Sequence, residues 1–365
     1  MLNKKNILLG VTGSIAAYKS VDLVRRLTEE GANITVVMTE AASRFINPYT
    51  LESVTGKPVH IDLFKNPFDH LDLPRDTDLF IIAPATANTI NKLYCGIADN
   101  LISNIWLAYE GQALIAPAMN SRMYRNRLVQ KHIKKMKKHG VDFVGPVSGS
   151  LACGEEDIGR MSEVPEIVEA AISALTLKDL AGQKILVTAG PTLEPIDPVR
   201  YISNRSSGKM GYAVARAAVR RGAEVTLISG PSHEKPVSGA SFFSIETTSQ
   251  METALIKHLP KTTAVIMAAA VSDFRSSSKA NVKLDKATVN SLTLKSNTDI
   301  LMKLGKMKRK FSLIGFAAET GNNIDNATKK LKKKNLDLIV LNDVTQKGAG
   351  FDVDTNIITI ITKKG

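Results

Sequence analysis

The chain has 365 residues, 44% of them hydrophobic and 23% charged, with a formal net charge of +13. That composition excludes a disordered chain, and no uninterrupted apolar run approaches the ~20 residues that a membrane-spanning helix needs. Two cysteines, Cys95 and Cys153, are too few for a disulfide framework and fit a reducing cytoplasm, which is the expected location. The length predicts two domains.

Lys4 and Lys5 precede an apolar stretch, but Gly10, Thr12, Gly13 and Ser14 interrupt it and Lys19 follows, so it does not read as a signal peptide. Much of the positive charge lies in the runs 131–138, 303–310 and 329–334. No aromatic residue interleaves with these lysines, so they read as solvated helix faces and no nucleic-acid partner is expected. The positive field would still gather phosphorylated substrates.

Residues 6–13 (NILLGVTG) predict a first strand running into a tight turn. Residues 14–30 follow as a helix with Ala17, Val21, Val24 and Leu27 on its apolar side and Gly31 as its left-handed stop. With a strand at 34–38 this makes a βαβ unit and a parallel sheet. Further strands are expected at 78–83 and 113–116, ending in the loops Pro84-Ala85-Thr86-Ala87-Asn88 and Pro117-Ala118-Met119-Asn120. Ligands of open parallel sheets sit at the carboxyl ends of strands, so both loops lie where a site belongs.

The second half begins the same way, with a strand at 184–188, a loop, a helix at 212–221 and, after Gly222, Ala223 and one polar residue, a strand at 225–228. Strands at 264–269, 312–316, 336–341 and 357–361 complete an α/β chain of two tandem doubly wound, mainly parallel sheets. The division falls near 175–183, giving domains 1–180 and 181–365.

The loop from Gly190 to Gly211, GPTLEPIDPVRYISNRSSGKMG, is the most informative stretch. A strand, a glycine- and serine-rich loop and a helix start hold phosphate through unpaired backbone N–H groups and the helix dipole. Ser206, Ser207, Gly208 and Lys209 supply small side chains, close backbone approach and one cation. The loop is neither a Walker P-loop nor Gly-x-Gly-x-x-Gly, which argues against a tandem NAD-type oxidoreductase.

In the first half, Gly10-Val11-Thr12-Gly13-Ser14-Ile15 reads either as a phosphate-binding turn or as a plain strand–helix turn. Glu40, just past the second strand, stands where an acid could hold a ribose. His70, in Phe68-Asp69-His70-Leu71-Asp72-Leu73, is expected in a polar loop, where proton transfer competes with a structural role. Asn120 could orient a carboxylate or simply make a turn. Cys153, between glycines, is either a reactive thiol or a small buried hydrophobe, and Cys95 reads as structural. Asp273 could hold Mg²⁺ or cap a strand end, and Lys283 and Lys286 could close over a triphosphate or be a solvated pair.

Gly-Ser-Ile-Ala-Ala-Tyr-Lys (13–19), Pro-Ala-Thr-Ala-Asn (84–88), Gly-Ile-Ala-Asp-Asn-Leu (96–101), Pro-Ala-Met-Asn (117–120) and Leu-Ala-Cys-Gly with Gly-Arg-Met (151–161) occur in order. They resemble the flavin-dependent cysteine decarboxylases. Ile-Ser-Asn-Arg-Ser-Ser-Gly-Lys-Met-Gly (202–211), Ala-Ala-Ala-Val-Ser-Asp-Phe (268–274), Lys-Leu-Asp-Lys (283–286), Phe-Ala-Ala-Glu-Thr (316–320) and Leu-Ile-Val-Leu-Asn-Asp-Val (338–344) continue the match. End to end, the chain resembles the bacterial bifunctional proteins of coenzyme A biosynthesis, which join a phosphopantothenoylcysteine decarboxylase to a phosphopantothenate–cysteine ligase.

The resemblance implies a flavodoxin-like flavoprotein domain followed by a Rossmann-like ligase domain. FMN would lie on Gly13 and Ser14 with Thr86 and Asn88 nearby. His70 matches the family's active-site histidine, Asn120 its carboxylate-binding asparagine and Cys153 the cysteine that protonates the enethiolate. These three together argue against a non-catalytic flavoprotein subunit. In the ligase half it implies CTP, Mg²⁺, 4′-phosphopantothenate and L-cysteine, reacting through an acyl-cytidylate that Asn204 handles. Lys283 would contact the triphosphate, and Asp273, Lys286, Phe316 and Asn342, with the loop 206–209, would complete the nucleotide site. Asp273 would be the metal ligand. Trimeric flavin sites and dimeric ligase halves would give a homo-oligomer, a dodecamer. The chain departs from the pattern at Asp157, where members often have Gly, and at Leu71-Asp72 after His70.

Overall fold

The computed structural model describes residues 1–152, 154–285, 291–319, 324–343, 345 and 355–363. The chain divides into two compact units, Met1–Thr176 and Leu177–Gly365. No described helix is long and apolar enough to cross a membrane.

The first unit is built on β1 (Asn6–Val11), β2 (Asn33–Met38), β3 (Leu79–Ala85), β4 (Gln112–Pro117) and the short β5 (Asp142–Phe143). The first four are near-continuous apolar runs, as strands covered on both faces require. They pair in parallel in the order β2-β1-β3-β4-β5, the flavodoxin-like order. Helices Lys19–Glu29 and Val164–Leu175 bury Leu23, Leu27, Ile167 and Ile172 against one face. Helices Ala87–Cys95, Leu101–Ala108 and Arg127–Lys138 bury Ile90, Ile105 and Ile133 against the other. In the last of these, Val129, Ile133 and Met136 face inward while all five lysines of the run 131–138 are exposed. A separate antiparallel hairpin, β6 (Val147–Ser150) with β7 (Glu156–Arg160), stands outside the sheet.

The second unit is organised on β8 (Lys184–Ala189). Within the loop after it, β9 (Leu193–Pro195) pairs antiparallel with β10 (Tyr201–Ser203). Then follow β11 (Glu224–Ser229), β12 (Ala240–Ser244), β13 (Ala264–Met267), the small antiparallel pair β14 (Phe274–Ser276) and β15 (Leu294–Ser296), and β16 (Ser312–Glu319), β17 (Leu338–Asp343) and β18 (Ile358–Thr362). The main sheet runs β12-β11-β8-β13-β16-β17-β18, parallel except for β18 at the edge. Helix Lys209–Arg220 buries Tyr212, Ala215 and Ala218 on one face, and Met251, Leu304 and Leu331 come from helices on the other.

Several local expectations change. The helix expected over 14–30 opens with a 3₁₀ turn, Ile15–Tyr18, capped by Ser14, before its α-helical part. The helix expected from 212 already begins at Lys209, because Gly208 with φ 85° makes the turn into it. The strand expected to 269 stops at Met267, so Asp273 stands beside β14 rather than at a long strand's end. The loop 190–208 holds a hairpin whose strands, three residues each, are too short for periodicity to reveal. His70 is on the helix Asp69–Arg75, not in a polar loop; Asp69 and Asp72 in its first turn suit the helix dipole.

Candidate active sites

The connections of β1 and β3 leave toward opposite edges of the sheet, so a crevice opens between their carboxyl ends. Thr12 stitches its two lips. Its buried hydroxyl donates to the Pro84 carbonyl at 2.7 Å and accepts the Thr86 N–H at 3.1 Å. Ser14 caps the 3₁₀ turn through the Ala16 N–H, and Thr86 caps the helix Ala87–Cys95 through the Thr89 N–H at 3.2 Å. Two helix starts and several hydroxyls thereby converge, the arrangement that receives an anion.

The crevice is a cavity of about 1030 Å³, the size of a cofactor site. Gly13, Ser14, Thr86, Asn88 and Asn120 all line it, with Thr39, Ile15, Ala118, Met119 and Met161. Glu40 lines it as well. A Cβ on Gly13 would lie 2.6 Å from Ala41 Cβ, so the turn closes onto the helix after β2 only without a side chain.

Thr39, Lys19 and Arg160 also line the cavity and were given no role from sequence. Lys19 meets both oxygens of Glu163 at 3.0 Å, and Arg160 reaches the same carboxylate at 3.0 Å. Both cations stand in motifs quoted above, at the ends of 13–19 and in Gly-Arg-Met, and that placement was the available signal.

Asn120 caps the helix Ser121–Arg125, its Oδ1 accepting the Arg122 N–H at 2.9 Å. A carboxylate arriving there would meet the amide N–H₂ side. Behind it, Met119 N–H donates to the Gly159 carbonyl at 3.0 Å, and a Cβ on Gly159 would fall 2.2 Å from Met119 O. Ser150, Leu151 and Ala152, at the tip of the β6–β7 hairpin, line the cavity. Cys153 lies outside the described residues.

Asp157, the departure from the family pattern, sits on β7 and is clasped by both Nη atoms of Arg125 at 2.7 and 2.6 Å. Arg122 reaches Glu155 at 3.2 Å, so the helix that Asn120 caps holds the hairpin twice. The Ile158 N–H, and after it the Arg125 guanidinium, keep the Asp157 carboxyl below the usual carboxylate range against the opposing effect of burial. His70 is not among the residues lining the cavity. Its Nδ1 is buried and has no hydrogen-bond partner among the described residues.

In the second unit the switch point lies between β8 and β13. The Gly190 carbonyl accepts the Ala270 N–H at 2.9 Å, and Asn204 Nδ2 donates to the Val271 carbonyl at 2.9 Å. Asn204 is thus placed against the strand-end segment that leads to Asp273. Ser206 accepts the Gly208 N–H at 3.3 Å, and Ser232 donates to the Ser207 carbonyl at 2.6 Å, shaping the turn into the helix at Lys209. A Cβ on Gly211 would lie 2.5 Å from Ala189 Cβ, and one on Gly230 would fall 1.7 Å from Pro191 O. Close backbone approach therefore builds this turn.

Asp273 and Lys283 are exposed, and Lys286 lies outside the described residues. Phe316 and Asn342 are on adjacent strands. Ala318 pairs in register with Asn342, so the pleat puts Phe316 and Asn342 on one face. Asn342 Oδ1 is buried without a hydrogen-bond partner among the described residues. Among those residues no group of three or more carboxylate, histidine or cysteine side chains could hold a metal ion.

A family model described as "Flavoprotein" matches residues 1–176, and one described as "DNA/pantothenate metabolism flavoprotein C-terminal domain" matches residues 180–365. The chain is 45% identical to the coenzyme A biosynthesis bifunctional protein CoaBC of Bacillus subtilis (strain 168), over 100% of this chain and 92% of that protein. It is 42% identical to the protein of the same name from Escherichia coli (strain K12), over 99% and 91%. Among solved structures, it matches the C-terminal domain of CoaBC at 45% identity and a TM-score of 0.44, over 51% of this chain and 84% of that one. It matches the FMN binding protein AtHal3 at 29% identity and a TM-score of 0.41, over 46% and 95%.

Proposed function

The chain belongs to the family of the coenzyme A biosynthesis bifunctional protein CoaBC, and on that footing we propose that residues 1–180 carry its decarboxylase and residues 181–365 its ligase. It is a bifunctional enzyme of coenzyme A biosynthesis, with a ligase activity and an FMN-dependent decarboxylase activity. The observation that carries the assignment of residues is the one cavity that gathers Gly13, Ser14, Thr86, Asn88 and Asn120 at a flavodoxin-like switch point.

The residues present suit FMN. Small residues, hydroxyls and helix starts at Gly13, Ser14 and Thr86 fit its phosphate, and Ile15, Met119 and Met161 supply apolar surface for its ring. Bound FMN supplies a two-electron acceptor for the cysteinyl thiol of 4′-phosphopantothenoylcysteine and returns the same electrons after CO₂ has left. Asn120 holds the departing carboxylate through its amide. Cys153 donates a proton to the enethiolate that decarboxylation leaves. His70 moves protons at the same centre. It stands off the cavity of its own chain, which supports a trimer in which His70 serves a neighbouring protomer's site.

In the ligase half, CTP activates the 4′-phosphopantothenate carboxylate as an acyl-cytidylate with loss of pyrophosphate, and the cysteine amine then displaces CMP. Ser206, Ser207, Gly208 and Lys209 cradle phosphate. Asn204 orients the acyl-cytidylate, and Lys283, with Lys286, neutralises triphosphate charge. Phe316 and Asn342 flank the nucleotide, and the orphaned Oδ1 of Asn342 suits a donor on a ligand. Asp273 is a single carboxylate, which suits an Mg²⁺ ion that arrives with triphosphate rather than one held in a protein cage. Pairing of ligase halves as dimers, with trimeric flavin units, gives a dodecamer.

The test is the absorption spectrum of the purified protein before and after denaturation, with the released chromophore identified, alongside CTP-dependent pyrophosphate release. FMN at one per chain and cysteine-dependent turnover support the reading. A colourless protein that FMN cannot reconstitute refutes the decarboxylase half of it.

A further inference from the structure

Asp197 lies in the turn between β9 and β10 and its carboxylate is fully shielded from solvent. One oxygen accepts the Val199 and Arg200 N–H groups, each at 2.8 Å, closing the turn. The other accepts the N–H of Leu284 at 3.2 Å, across 87 residues of sequence, and lies 3.6 Å from an Arg200 nitrogen. A second bond joins the same two segments, from the Ala280 N–H to the Ile196 carbonyl at 2.9 Å. Burial raises the Asp197 pKa, but the three N–H donors and Arg200 outweigh it and hold the carboxyl below its ordinary range.

Leu284 follows Lys283, and the turn that Asp197 closes leads through β10 directly to Asn204. Lys283 itself is exposed on a segment without regular structure. A flexible side chain on an unsupported segment would spend little time where a triphosphate needs it. We infer that Asp197 is a positioning residue of the ligase: its buried carboxylate ties the segment bearing Lys283 to the hairpin bearing Asn204, so that both groups meet the nucleotide as one assembly. This rests on the role of Lys283 proposed above.

The experiment is a double-mutant cycle in the full chain, reading kcat/KM for CTP in pyrophosphate release. Asp197→Asn keeps the shape and one acceptor for the turn but sets an N–H₂ against the Leu284 N–H. It is expected to lower kcat/KM about tenfold, the scale of a hydrogen bond to a charged group, while decarboxylation of supplied substrate is unchanged. Lys283→Gln is expected to lose more, and the double variant no more than Lys283→Gln alone. Additive losses would mean that Asp197 only stabilises the fold and would overturn the inference. So would a wild-type-like Asp197→Asn beside an impaired Lys283→Gln. An unimpaired Lys283→Gln would instead refute the role of Lys283 on which the inference rests. Should Asp197→Asn not accumulate as folded protein, Asp197→Glu, which keeps the charge and displaces it by one methylene, takes its place in the cycle with the same expected pattern.

Discussion

Replacing Thr12 with valine removes one buried hydroxyl that joins the ends of β1 and β3 beside the crevice and leaves the volume nearly unchanged. The hydroxyl makes two bonds, to Pro84 O at 2.7 Å and from Thr86 N at 3.1 Å. Pro84 O keeps the Thr12 backbone N–H at 3.3 Å, so its loss is one net hydrogen bond, about 1 kcal/mol. Thr86 N–H loses its acceptor at a half-buried position, which costs about 1–2 kcal/mol more. A total of about 2–3 kcal/mol, expressed wholly in ligand binding, would raise the FMN Kd by about 30- to 150-fold. Expressed partly in stability, it lowers the urea midpoint of the flavin-free protein. Both are measurable, by quenching of flavin fluorescence on titration of stripped protein and by urea unfolding of the same sample. An unchanged midpoint together with a Kd within about twofold of wild type would refute the claim that Thr12 holds the two lips together.

Further outcomes are expected from the same geometry. Gly230→Ala would drive a Cβ into Pro191 O and displace the loop that begins at Gly190, so ligation should fall by about 100-fold, as ångström-scale misplacement does, while supplied 4′-phosphopantothenoylcysteine is still decarboxylated. Asn204→Asp should block amide formation without affecting decarboxylation, and normal coupling of cysteine in that variant would remove Asn204 from the mechanism. Cys153→Ser should stop decarboxylation and spare ligation, as product analysis of each half-reaction would reveal. Asp337 is opposed by burial, but Arg309, the Leu313 N–H and Lys363 together lower its pKa to about 2. Its contribution to stability is therefore fully present above the unfolded value of about 3.9 and is lost as pH falls through about 2. Asp337→Asn should flatten the decline in urea midpoint between pH 4 and 2, and an unaltered acid limb would exclude Asp337 as its source.

What the sequence by itself determined is what local chemistry dictates. The apolar runs of β1, β2, β3 and β4, the glycine stop at Gly31 and the repeated strand–loop–helix beginnings were enough for two tandem parallel sheets, since a buried strand has to be apolar along its whole length. The motif residues Gly13, Ser14, Thr86, Asn88 and Asn120 were legible individually. Strand-end topology and the family resemblance already brought their loops together; the rest of the lining, Lys19, Thr39 and Arg160, was not legible, because a parallel sheet brings together segments that are dozens of residues apart. Tertiary structure alone decided the contacts that carry no local signature. His70 read as a loop residue because a helix of seven residues containing Pro74 has no clear period. The β9–β10 hairpin was invisible because a buried carboxylate, Asp197, fixes it, not a strand pattern. Asp157, a departure in sequence, gains its sense only from Arg125, 32 residues away, since an ion pair is a matter of distance in space.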